Sequence, residues 1–231
     1  MAPTIVIERR FRGPAGSGNG GYTCGLVAGL VATDTVEVTL RVPPPLDTPL
    51  RVEGGGEEVR VLDGDALVAE ACAAELELEL PEPVEYADAV RIAGARPDDP
   101  DHPFPGCFVC GPRREEGDGL RLRPAAVGDG RIVAPWRPAE VARPFVWASL
   151  DCPGAHAVDP DGARGISVLG RLTGRVVELP EPGDECVVVA WPLGGDGRRL
   201  FAGTALFRGE RPLAVARAVW FPVGDEARDP A

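Results

Sequence analysis

Two cysteines, Cys107 and Cys110, stand in the run Cys107-Phe-Val-Cys-Gly111, at a spacing suited to two thiolates sharing one metal ion or forming a redox pair. A closed zinc site needs four ligands. His102, in Asp101-His-Pro103, is the third candidate, and Cys152 is the only further thiol within reach of consideration. Nothing in the sequence brings Cys152 to the pair, and His102 reads as an exposed loop residue. The expectation is therefore a structural turn with free thiols and no metal. A second group with chemical potential is Ser17-Gly-Asn-Gly-Gly-Tyr22, where N-capping residue types precede an apolar run. A third is Asp151, the lone acid at the end of the nearly uncharged stretch Pro144–Asp151. Its bland counterpart is a turn residue before Cys152-Pro153-Gly154, because a residue preceding proline is pushed out of helical geometry.

Strands must position these groups. Thr35–Val42 alternates strictly, with Val36, Val38, Leu40 and Val42 on one face. Leu76, Leu78 and Leu80 alternate with glutamates, and Leu120 and Leu122 with arginines. Longer β-rich stretches cover residues 167–178, 185–191, 199–207 and 213–221, separated by Gly, Pro and Asp turns. Two buried helices are expected, near residues 21–32 and 144–152, and residues 81–105 read as a connection. No helices separate the later strands, so the sheets should be antiparallel. Helix, strand, proline-rich turn and further strands occur twice, which predicts an α+β fold of two repeats at 1–97 and 119–231 with a linker at 98–118.

Composition narrows the function classes. The 231 residues carry 24 Lys+Arg, all arginine, against 36 Asp+Glu, for a net charge of −12. That balance argues against nucleic acid or an anionic membrane as partner, since both demand clustered cations. Charges at Glu8, Arg9, Arg10 and Arg12 interrupt any apolar signal segment, and no stretch reads as a membrane span, so a soluble cytoplasmic protein with reduced thiols is expected.

In order and spacing, Ser17–Tyr22 with its apolar helix, Cys107–Gly111 leading to Gly119-Leu-Arg-Leu122, Trp147-Ala-Ser-Leu-Asp-Cys152 and Ala202-Gly-Thr-Ala-Leu206 resemble acyl-CoA thioesterases with two hotdog repeats in one chain. The resemblance implies a double hotdog: two antiparallel sheets, each wrapping a central helix and joined edge to edge. It implies hydrolysis of an acyl thioester, from acyl-CoA or an acyl carrier, at a composite site between the repeats, without a cofactor, and oligomerisation through the sheets is possible. In such sites helix N–H groups hold the thioester carbonyl, and a carboxylate on the other unit's helix is nucleophile or base. Carried over to this chain, Asp151 is the catalytic carboxylate. Asn19 stands where the family has histidine and could donate to an acyl oxygen. Gly20, Gly21 and Tyr22 would bind the acyl group, with Gly21 giving it room, and Arg143 and Arg164 could meet a phosphate of the carrier. Overlaying the two helices puts Ala28 at the acid position of the first and Ala142-Arg-Pro144 at the glycine position of the second. Each repeat thus keeps one half of a single site. That loss leaves open two further readings, a non-catalytic acyl or acyl-CoA binding protein and a structural dimerisation module. His156, five residues after Asp151, is reminiscent of the acid–histidine pair of hotdog dehydratases, but five helical residues turn about 500° and part the two side chains.

Overall fold

The computed structural model describes residues 3–95, 100–224 and 227–229. The boundary expected at 97/98 falls outside them. Eleven strands form the sheet: β1 (Thr4–Ile5), β2 (Thr35–Leu40), β3 (Leu50–Gly55), β4 (Glu58–Asp63), β5 (Ala66–Ala73), β6 (Ala125–Ala126), β7 (Ile132–Trp136), β8 (Ser167–Val176), β9 (Cys186–Asp196), β10 (Arg199–Arg208) and β11 (Arg211–Pro222). Among the described residues four α-helices and a short 3-10 turn at Arg9–Phe11 accompany them: α1 (Gly20–Ala28), α2 (Tyr86–Ala95), α3 (Arg143–Ser149) and α4 (Cys152–Val158).

The strand order is β1-β3-β4-β5-β2-β8-β11-β10-β9-β7-β6, antiparallel throughout. The five strands before residue 96 are contiguous, and so are the six after it. They meet at β2 and β8, where Val38 lies opposite Leu172 and Val36 opposite Gly174. The expected two sheets are thus one continuous sheet, because the edge of each half finds its hydrogen-bond partners in the other. A sheet edge left unpaired would expose a row of N–H and C=O groups.

One face of the sheet holds the main core. Val27, Val38, Leu172, Leu206, Leu213, Trp147 and Leu150 are buried there with α1 and α3. The two helices touch through glycines. A Cβ at Gly25 would lie 2.6 Å from Pro144 Cα and 2.8 Å from Trp147 Cβ. Small residues let two helix backbones approach so closely. The other face carries a smaller core of Val133, Val187, Val189, Ala205, Phe207 and Val215.

Several expectations need correction. Residues 81–105 are not merely a connection, since α2 forms within them and buries Ala89 against the outer core. Leu76 and Leu80 are not in a strand; they reach the same outer core from an extended segment without ladder partners. Leu120 and Leu122 likewise lie outside any strand, although their N–H groups donate to Phe108 O and Val109 O at 2.8 Å. The second helix stops at Ser149, and Pro153 opens α4 rather than ending a helix, because proline fits a first turn whose N–H groups lack partners.

Candidate active site

Asn19 caps α1. Its side-chain Oδ1 accepts from the Tyr22 N–H at 2.8 Å. This is the ordinary reason for Asn before a helix, where the first N–H groups have no intrahelical partner. Its Nδ2 points the other way and donates to Asp151 Oδ2 at 2.8 Å. The Gly21 N–H donates to that same oxygen at 2.9 Å. Asp151 lies between α3 and α4 and is only 3% exposed. Its other oxygen, Oδ1, is buried without a hydrogen-bond partner among the described residues. Burial pushes the carboxyl up to about 7, opposed by the Gly21 N–H and the Asn19 amide. The carboxylate is therefore clamped by one oxygen on a helix N-terminus, where the dipole favours an anion, and leaves the other oxygen uncommitted.

Asn19, Gly20 and Asp151 border one cavity of about 1280 Å³. That exceeds the roughly 300–1,000 Å³ usual for small-molecule sites. Apolar residues from distant segments line it, including Leu40, Phe104, Leu169, Trp220 and Phe221. Ser167 Oγ and Trp220 Nε1, from two residues of the same lining, are also buried without a partner among the described residues. Nothing in the sequence marks Ser167 as a site residue, whereas Trp220 reads there as core or tunnel wall.

The structure brings together Asn19, Gly20, Gly21 and Asp151, and separates the rest of the expected set. Tyr22 turns away from the cavity. It stacks on Phe11 at 4.0 Å and meets Phe108 edge-on at 5.8 Å, and burial raises its hydroxyl to about 12. Gly21 does not clear space for an acyl chain, because a Cβ there would lie 2.5 Å from Asp151 Cβ and 2.8 Å from Trp147 O. It is glycine so that Asp151 can reach the α1 backbone. The expected carbonyl donors are also taken, Gly21 N–H by Asp151 and Tyr22 N–H by Asn19. Gly20 N–H, the first of α1, has no acceptor among the described residues. Arg143 and Arg164 are exposed and neither borders the cavity; its arginines are Arg41 and Arg228. His102 is half-buried in the lining rather than an exposed loop residue, and its Nδ1 accepts from the Phe104 N–H at 3.1 Å. His156 lines the cavity too.

The cysteines also differ from expectation. Cys152 Sγ lies 3.8 Å from Cys107 Sγ, so the third thiol that no sequence feature placed nearby is beside the pair. The close approach of the three sulfurs holds Cys107 well below its ordinary value and pushes Cys110 and Cys152 well above theirs. Phe108, inside the Cys107–Cys110 turn, packs against Phe11, Tyr22 and Phe145 with ring centroids 5.0–5.8 Å apart. This cluster ties the turn to α1 and α3.

Asn19 does two separable jobs, which gives a test. Asn19→Ser keeps a capping oxygen but loses the amide donor to Asp151, and serine caps about as well as asparagine. Asn19→Ser is expected to cost about 1–3 kcal/mol, the scale for a donor lost to a buried carboxylate, and Asn19→Ala about 1 kcal/mol more through the lost cap. Thermal melts of the two variants check the order.

No protein-family model matches the sequence, and no curated protein matches it significantly. Solved structures do. The chain is similar to a conserved protein of unknown function with hot dog fold from Alicyclobacillus acidocaldarius, with TM-score 0.63, 12% identity, 96% of this chain covered and 92% of that one. A putative thioesterase from Novosphingobium aromaticivorans gives TM-score 0.63, 15% identity and coverage of 96% and 95%. The tesB protein of Mycobacterium avium subspecies paratuberculosis gives 0.59, 14%, 91% and 89%. The fold is a hotdog fold, similar over most of the chain to thioesterase-like structures. No helix among the described residues is long and apolar enough to cross a membrane.

Proposed function

We propose that the protein hydrolyses an acyl thioester at Asp151, and that its chain is a double hotdog whose repeats, 1–97 and 119–231, each supply half of the site. The observation that carries this reading is the half-committed carboxylate. Oδ2 is fixed by Asn19 and Gly21, and Oδ1 is buried and unpartnered among the described residues, in a residue that borders a large cavity. Such an oxygen is poised to take a proton from water or to attack a carbonyl itself. Acyl-thioester chemistry is favoured by the neighbours of similar fold, several of which carry thioesterase names, among them an acyl-CoA thioesterase II from Mycobacterium marinum.

In the reaction, Asp151 Oδ1 accepts a proton from water, and the resulting hydroxide adds to the thioester carbon. Gly20 N–H and the positive end of α1 stabilise the oxyanion. Collapse breaks the C–S bond, releasing the acid and the thiolate, which takes up the proton held by Asp151. Asn19 acts through Asp151 as a positioning residue and not as a donor to substrate.

A second reading is a non-catalytic acyl or acyl-CoA binding protein of the same fold. It is favoured by the Gly21 N–H, which faces Asp151 instead of standing free for a carbonyl. Turnover of a panel of acyl-CoA substrates separates the two. Hydrolysis of at least one chain-length class is expected. Complete inactivity with a melting temperature raised by acyl-CoA would move the assignment to binding.

A further inference from the structure

The three thiols beside Asp151 have no part in the reaction proposed above. Their sulfur atoms all lie within 4.8 Å of one another. Zinc–sulfur bonds of about 2.3 Å at tetrahedral angles put two sulfurs about 3.8 Å apart, and Cys107 and Cys152 are 3.8 Å apart. A disulfide would require about 2.05 Å and would strand the third thiol.

The turn presents its first sulfur as an acceptor: the Asn19 amide donates to Cys107 Sγ at 3.9 Å. Gly111 N–H closes the turn on Cys107 O at 2.9 Å, and a Cβ at Gly111 would sit 2.5 Å from both Cys107 N and Cys107 O. Two-residue spacing between cysteines is the usual way one turn supplies two ligands. A separate observation points to a ligand at the same place. Asp151, adjacent to Cys152 in the chain, has a buried Oδ1 without a partner among the described residues, and Asp151 and all three cysteines line the same cavity.

We propose that Cys107, Cys110 and Cys152 bind one thiophilic divalent cation, zinc by preference, with the fourth position open to the cavity. Soft thiolates select zinc over magnesium or calcium, and three protein ligands with one open position is the pattern of an accessible site. No electron is transferred; the cation replaces thiol protons, which pass to solvent. The site would tie the Cys107–Cys110 turn to the start of α4 and so fix the wall next to Asp151.

The test uses the reduced full-length protein. Titration with Co²⁺ is expected to reach one ion per chain, with an intense thiolate-to-cobalt absorption that zinc abolishes. Cys110→Ser and Cys152→Ser should each weaken cobalt binding by roughly 10²-fold or more, as loss of one of three ligands demands. Chelator should lower the melting temperature of the zinc-loaded wild type. Should either variant misfold, alkylation of wild type decides: zinc is expected to protect Cys110 and Cys152. Absence of the absorption together with absence of protection overturns the proposal. So does stoichiometric binding that survives in both serine variants, or a Cys107–Cys110 disulfide that persists in reducing buffer.

Discussion

Asp151→Asn is expected to lower thioester turnover by roughly 10²-fold or more, the scale for removing a positioned acid–base group, while the protein still folds. Asparagine is nearly the same size as aspartate. Its carbonyl oxygen can still accept from the Gly21 N–H and the Asn19 amide, so the contact between α1 and the α3–α4 junction survives. What disappears is the basic oxygen. An amide is neither a nucleophile nor a base at neutral pH, and its NH2 group would stand where Oδ1 is now unpartnered. Far-ultraviolet circular dichroism and thermal melting establish that the variant is folded. Steady-state turnover of acyl-CoA by both proteins gives the effect. Equal turnover would remove Asp151 from the chemistry and, with it, the composite-site reading. Because the amide keeps the shape of the carboxylate, a loss of activity cannot be traded for a loss of fold.

The nearness of Asp151 to the start of α1, 130 residues away in the chain, is implied only through the resemblance to two-repeat hotdog thioesterases; the residues by themselves leave Asp151 a turn aspartate before a proline. The strands at 35–40, 167–176, 186–196, 199–208 and 211–222 are legible for a different reason. Alternation or a dense β-branched run is a local property, and the sheet buries one or both faces of each.

What stays hidden depends on non-local geometry. Cys152 reads as a residue after an acid and before a proline; only the reversal between α3 and α4 carries its sulfur to Cys107. The leucines at 76 and 80 alternate as a strand would, yet a strand also needs a partner ladder, and this segment lies across the outer face of the sheet instead. The ends of α3 and α4 mislead because proline has two opposite meanings, a stop for the helix before it and a start for the helix after it. Arg143 and Arg164 are near the second helix in sequence, but Arg143 is exposed at the start of α3 and Arg164 is exposed in the turn between α4 and β8. Gly21 stands out in the sequence for the wrong neighbour. The space its missing Cβ leaves is filled by Asp151 and the α3 backbone rather than by a ligand.

Gly21→Ala supplies the second large effect. Three atoms crowd the new methyl: Asp151 Cβ at 2.5 Å, Trp147 O at 2.8 Å and Ala148 Cα at 3.0 Å. Two of them belong to backbone, so no side-chain rotation relieves the clash. Either α1 moves away from α3, or Asp151 is pushed off the α1 N-terminus and its buried carboxyl loses both donors. Overpacking of this kind costs about 1–3 kcal/mol, occasionally more. The expected result is a clear fall in melting temperature together with a fall in kcat of roughly tenfold or more, since a misplaced base loses most of its advantage. Gly94→Ala is the control. A Cβ at Gly94 meets nothing within 4 Å, Gly94 lies within α2, and alanine there should be neutral or stabilise by up to about 1 kcal/mol. A glycine that merely admitted an acyl chain would behave differently: alanine would raise KM for bulky substrates and leave the melting temperature alone. Melting curves and the separate kcat and KM values for Gly21→Ala therefore distinguish a glycine that seats the carboxylate from one that seats the substrate, and an unchanged melting temperature with altered KM would overturn the contact described here.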